Sequence, residues 1–98
     1  MRSIKYAQRA ISDLEDSTDY TSRRWGSKQA KSYLRDIRLR IVMIANGDAI
    51  TQPFHLARGE VFKCRINRHL IIFDQTNNQV RIVRILHEAM DMPGHLGL

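Results

Sequence analysis

Gln79-Val-Arg-Ile-Val-Arg-Ile-Leu-His-Glu-Ala-Met-Asp-Met-Pro-Gly-His95 is the stretch whose reading decides the fold. Its first half alternates as a strand does. Val80, Ile82 and Leu86 fall on one face with Arg84 among them; Val83 and Ile85 fall on the other, flanked by Arg81 and His87. Apolar groups on both faces predict a central strand covered on two sides, at least in part. A guanidinium in such a strand needs a partner or a groove. Arg84 therefore marks either an internal ion pair, with Asp13, Glu88 or Asp91, or a functional surface. The strand ends at His87, and a short helical turn around Glu88–Met90 leads into Pro93-Gly94. The working surface is expected near this exit.

Two strands precede it. His69–Asp74 is apolar on both faces, and in Val61–Ile66 the cations Lys63 and Arg65 alternate with Phe62, Cys64 and Ile66. Asn67-Arg68 supplies a tight turn between them, and Gln75–Asn78 a polar turn before the last strand. The three form an antiparallel meander. Residues 47–60 read as a loop broken by Pro53 and Gly59, with Phe54 and Leu56 anchoring it on the core.

A meander needs cover, and the first half of the chain supplies it. Ser3–Tyr6 fits a short first strand. Ala7, Ala10, Ile11, Leu14, Thr18, Thr21 and Trp25 mark one stripe at helical spacing, weakened at Ser17 and Thr18. Gly26 fits a left-handed helix end and Ser27 a cap for the next helix. Ala30, Tyr33, Leu34, Ile37, Ile41 and Ile44 then repeat at i, i+3, i+4, i+7 over residues 28–46. Leu39, Val42 and Met43 lie off that stripe; they either widen the buried face or offer an apolar strip to a partner, and the first reading is preferred. Asn46-Gly47-Asp48 stops the helix. The class is α+β: one strand, an antiparallel two-helix hairpin and a small antiparallel sheet, in a single domain over 1–98.

The totals narrow the function. The chain has 98 residues and a formal net charge of +6, which favours an acidic partner, either nucleic acid or an acidic protein segment. Residues 27–46 concentrate the charge: Lys28, Lys31, Arg35, Arg38 and Arg40 stand against Asp36 alone. No apolar run approaches a membrane span. Cys64 is the one cysteine, which excludes an internal disulfide and fits a reducing cytoplasm. No Cys/His spacing suits a structural zinc site, and no cofactor is expected. The few aromatic residues fall mostly on core stripes, so no stacking platform for single-stranded nucleic acid is visible.

Taken together, Ala10 with Asp13-Leu14, Tyr20, Trp25-Gly26, Ala30, Tyr33, Ile37, His69, Ile72-Phe73, Arg84-Ile85-Leu86-His87, Met90-Asp91 and His95-Leu96 resemble the ParE branch of the RelE/ParE toxin superfamily. The resemblance covers nearly the whole chain. Ser17 departs from it where a large aliphatic residue is usual, and Asp48 where a proline often follows the second helix.

The resemblance implies a toxin of a type II toxin–antitoxin system. Such a toxin poisons DNA gyrase by protein contact, and a ParD-type antitoxin silences it with an acidic, amphipathic C-terminal segment. Contact with DNA is then indirect, through the antitoxin. Target-facing residues are expected at Arg84, His87, Met90, Asp91, His95 and Leu96. Antitoxin contacts are expected at Arg24, Lys28, Arg35, Arg38, Arg58 and Lys63. The alternative is ribosome-dependent messenger RNA cleavage of the RelE type, with Lys63, Arg65, Arg84 and His87 gathered at the strand ends. His87 would act there as general acid and Arg84 would hold phosphate. Against it, no tyrosine or second histidine closely follows His87, and Pro93-Gly94-His95 departs from the ribonuclease pattern. A structural reading of His87, tying the strand end to the tail, stands beside both.

Overall fold

The computed structural model describes residues 1–56 and 59–87, with 54–56, 59 and 60 described by backbone alone. The elements run β1 (Ser3–Tyr6), α1 (Gln8–Trp25), α2 (Ser27–Asn46), β2 (Gln52–Leu56), β3 (Gly59–Ile66), β4 (His69–Gln75) and β5 (Gln79–His87). One sheet carries all five strands in the order β1-β5-β4-β3-β2. β3, β4 and β5 form the expected antiparallel meander. β1 joins it in parallel, Ser3 opposite Gln79 and Tyr6 opposite Ile82. The long connection that a parallel pair requires runs through the helical hairpin and then β2, β3 and β4.

Residues 47–60 are not wholly loop. Gln52–Leu56 pairs antiparallel with β3, Gln52 opposite Lys63 and Leu56 opposite Gly59. Pro53 is compatible with this because β2 is an edge strand, where a residue without an N–H can face outward. The anchoring side chains expected at Phe54 and Leu56 lie outside the described side chains.

A bulge in the pairing of β4 with β5 corrects the face assignment. Ile72 pairs with Arg84, yet Phe73 pairs with Ile82, so Val83 is the extra residue. An inserted residue shifts the alternation beyond it. Ile85 therefore joins Val80 and Ile82 on the helix-covered face, and Leu86 does not. The main core sets Ala10, Ile37, Ile41 and Ile44 of the helices against Cys64, Ile71, Phe73, Val80, Ile82 and Ile85. On the opposite face Val61, Ile72 and Leu86 form a second cluster with Leu70 and Val83. β5 is thus covered on both sides, as its composition predicts.

The helix ends follow backbone chemistry. Gly47 adopts the left-handed conformation (φ 80°, ψ 17°). Its N–H reaches the Ile44 carbonyl while Asp48 N–H reaches that of Met43, the two bonds of a Schellman cap. Gly26 also has positive φ, at 95°, but with ψ at 165° it is not the helical left-handed state. It, rather than Ser27, precedes the first turn of α2, and no side chain caps that end. On α1 the weak stripe survives because Thr18 and Thr21 turn their hydroxyls back to the carbonyls of Leu14 and Ser17. Trp25 is exposed, with the Arg24 guanidinium 5.3 Å from its ring centre.

Candidate functional site

The Asp13 carboxylate holds the exit of β5. β1 pairs with β5 only as far as Ile82, where the Ala7 N–H closes the ladder on the Ile82 carbonyl at 2.8 Å. Beyond that point β5 has an open edge, and α1 lies along it. Asp13, on the second turn of α1, takes the place of the missing strand. Its Oδ2 accepts the Ile85 N–H at 2.9 Å and Arg84 Nε at 2.8 Å, and its Oδ1 accepts Arg84 Nη2 at 2.9 Å. This is a bidentate fork with both side chains at 10% exposure or less. Hydrogen bonding to Asp13 holds the Arg84 guanidinium above its ordinary range, although burial pulls the other way. It stays charged at every pH the protein meets.

The strand end is also tied to α2. His87 stands opposite His69 on β4, their rings 5.1 Å apart and edge-to-face. The His69 ring lies 4.8 Å from that of Tyr33. Both histidines therefore sit on the helix-covered side. The Tyr33 hydroxyl is buried and finds no partner within hydrogen-bond geometry among the described residues. Burial raises its pKa. Nearby Ser17 works against that rise without completing a well-formed bond, and the Asp13 charge adds to it.

The second feature is the hairpin surface. A groove of about 560 Å³ runs between α1 and α2, lined by Tyr6, Ile11, Leu14, Glu15, Leu34 and Arg38 among others. It shares Leu34 and Arg38 with a hollow of about 370 Å³ that also takes in Lys31, Arg35, Leu39 and Val42. Leu39, Val42 and Met43 are 57%, 38% and 39% exposed. They do not widen the buried face, as the preferred reading of the sequence expects; they form an exposed apolar strip with cations beside it.

The sequence profile described as "ParE toxin of type II toxin-antitoxin system, parDE" matches residues 4–92. The chain belongs to the ParE toxin family. Toxin ParE1 of Caulobacter vibrioides is 34% identical over 97 residues, spanning 99% of this chain and 100% of its own length. Toxin ParE1 of Mycobacterium tuberculosis is 31% identical over 88 residues, spanning 89% and 90% respectively. Among solved structures, the chromosomal ParDE toxin–antitoxin system of P. aeruginosa matches with a TM-score of 0.71 at 22% identity, over 89% of this chain and 96% of that one. The E. coli DinJ–YafQ complex matches with a TM-score of 0.66 at 12% identity, over 94% and 99%. These last two likenesses establish the fold alone.

On this ParE fold the residues singled out in sequence divide into separate places. Lys63 and Arg65 alternate with Cys64 and Ile66 and so point to the face away from the helices. His87 is on the helix side. Lys63, Ile72 and Arg84 share one row across the sheet, but the guanidinium turns past the edge of β5 to α1. The four residues of the cleavage alternative are therefore not brought together. Of the two readings of Arg84, the ion pair with Asp13 is the one formed, and the residue is 6% exposed. Arg38 lines both the groove and the adjoining hollow, Arg35 lines the hollow, and Arg24 and Lys28 sit at the hairpin tip. Met90, Asp91, His95, Leu96 and Arg58, with the helical turn expected at 88–90, lie outside the described residues.

Sequence reasoning missed Arg40. It reads as one more charge on a basic helix, yet its Nη1 donates to the Arg65 carbonyl at 3.1 Å, 25 residues away. Only knowing that β2 exists, and starts short of Arg65, reveals that carbonyl as needing a donor. Among the described residues no group of three or more His, Cys, Asp or Glu side chains could hold a metal, and no helix is long and apolar enough to cross a membrane.

Proposed function

We propose that this ParE toxin acts in the cytoplasm on DNA gyrase by protein–protein contact, with no chemistry of its own. A ParD-type antitoxin silences it by laying an acidic, amphipathic segment on the helical hairpin. The observation that carries the non-enzymatic half is the division of Lys63 and Arg65 from His87 by the sheet, with the Arg84 fork spent on Asp13. Phosphodiester cleavage needs acid, base and cations converging within hydrogen-bond reach of one phosphate. Family membership and the exposed, cation-flanked strip Leu39–Val42–Met43 support the rest. In this reading His87, Met90, Asp91, His95 and Leu96 face the target. Arg84 serves that surface indirectly, as a positioning residue that fixes the strand end. Arg35 and Arg38 at the hollow beside the strip, with Arg24 and Lys28 at the tip, draw the antitoxin in, and the groove beyond it, where Glu15 and Asp19 face Arg38, is left to its apolar residues.

Purified gyrase decides the matter. Added toxin should block supercoiling and accumulate cleaved DNA, and deletion of Met92–Leu98 should weaken this more than antitoxin binding. Cleavage of ribosome-bound messages with supercoiling intact would transfer the chain to the ribonuclease alternative.

A further inference from the structure

The two helices of the hairpin carry opposite charge. Residues 13–19 of α1 hold four carboxylates and no base, whereas residues 27–46 hold five bases against Asp36 alone. Asp13 is spent on Arg84. Glu15 and Asp19 stand one turn apart on the same side of α1 and line the groove of about 560 Å³. Arg38 lines the same groove from α2. Burial raises the pKa of Tyr6 in that groove, and the nearby Arg38 charge opposes the rise. Between the two walls the lining is apolar, with Leu14, Leu34 and the 37% exposed Ile11. Past Leu34 and Arg38 comes the hollow, where Lys31 and Arg35 join the exposed Leu39 and Val42. A segment lying along the hairpin therefore meets an acidic edge on its α1 side, an apolar bed beneath it and a basic edge on its α2 side.

We infer that the hairpin takes an amphipathic helix whose apolar stripe has one basic and one acidic flank, the basic flank meeting Glu15 and Asp19 and the acidic flank meeting Lys31 and Arg35. The inference rests on the proposed antitoxin reading and deepens it: the docked segment is not acidic throughout. Charge favours this occupant over two others. A second copy of the chain would bring one net charge of +6 against another. A nucleic-acid strand in the groove would set its phosphates against Glu15 and Asp19. Split flanks also fix direction. Turning a helix end for end with its apolar stripe still down exchanges its left and right flanks, so such a segment fits one way only. A uniformly acidic helix would fit both ways and would set carboxylate against carboxylate along α1.

The full chain, labelled with ¹⁵N, is titrated at about 0.15 M salt, where attraction to the net charge is largely screened. The probes are two capped synthetic helical peptides with the same leucine stripe, one with Glu on one flank and Lys on the other, the second with Glu on both. Oligothymidylate is titrated separately. The split peptide should shift the amide signals of residues 11–19 and 31–42 and bind roughly two- to tenfold more tightly than the all-Glu peptide, the range of two exposed ion pairs. Glu15→Gln with Asp19→Asn should abolish that preference, and Glu15→Lys with Asp19→Lys should reverse it. All four side-chain changes are at exposed positions, so the helix keeps its packing. A parent chain that binds the all-Glu peptide as tightly or more tightly would overturn the split flanks and leave the antitoxin reading standing. A preference that survives both double variants would overturn them equally. No hairpin shift with either peptide would remove the hairpin as the antitoxin's seat, and the inference with it. The same signals moved by oligothymidylate instead, or by raising the chain's own concentration, would make nucleic acid or a second copy the occupant and overturn the inference.

Discussion

The two inner strands β5 and β3 each outrun an edge neighbour, and each overhang is closed by a side chain from a helix. On β5 the closing residue is Asp13, which accepts the Ile85 N–H; on β3 it is Arg40, which donates to the Arg65 carbonyl. The backbone task is the same, but the electrostatics are opposite. Asp13 is buried and neutralised in place by Arg84. Arg40 sits at an open pocket with two more cations. A neutral amide or hydroxyl could satisfy the Arg65 carbonyl equally well. The first closure brings a buried ion pair with it, while the second is made by a guanidinium N–H at a partly exposed edge.

The comparison breaks first at Asp13. Asp13→Ala leaves a buried guanidinium without its carboxylate and should lower unfolding free energy by about 3–5 kcal/mol, read from urea denaturation. A loss below 1 kcal/mol would mean the pair does not hold the strand end. Replacing both partners by apolar groups, Asp13→Leu with Arg84→Met, should recover most of this. The remaining deficit is about 1–3 kcal/mol from the orphaned Ile85 N–H. A double variant no better than Asp13→Ala alone would assign the loss to packing and not to charge.

Alkaline titration sharpens the buried side further. Tyr33 has a pKa raised above the ordinary 10.0, chiefly by burial. A raised folded-state pKa means the unfolded chain gives up its proton first, so stability is full below pH 10 and falls as pH rises through the folded value. Tyr33→Phe should flatten that fall. Because the hydroxyl has no well-formed partner, the variant at pH 7 should match the parent or exceed it by up to about 1 kcal/mol in the same denaturation assay. The smallest stability effect belongs to Arg40→Ala, no more than about 1 kcal/mol. Equal destabilisation by Arg40→Ala and Asp13→Ala would erase the contrast.

Much of this architecture is legible in the sequence because periodicity reports burial. The stripe Ala30–Ile44 and the doubly apolar β4 and β5 predict their own elements. What eludes it depends on neighbours. β2 is short, lies at an edge and contains Pro53, so nothing in its own residues separates it from loop. The bulge at Val83 leaves a run of five apolar and basic residues looking regular, and only the cross-strand register shows that Ile85 and Leu86 have exchanged faces. For the site, the sequence offers Asp13 as one of three partners for Arg84, and the open edge of β5 brings Asp13 to it; the other two, Glu88 and Asp91, lie outside the described residues. It scatters the basic residues into a single patch, whereas the sheet divides them into groove, tip and pocket.

One pairing carries a consequence for synthesis. Ser3–Tyr6 aligns with Gln79–Ile82, so the first strand made must wait for almost the last. Long-range parallel pairing forms late in folding. A ribosome that stalls before residue 79 releases a product that lacks the row its own N-terminus needs, and with it the strand that presents His87. Such a truncated chain should therefore fail to close its sheet, and limited proteolysis of a chain ending at residue 78 should cut it faster than the full chain.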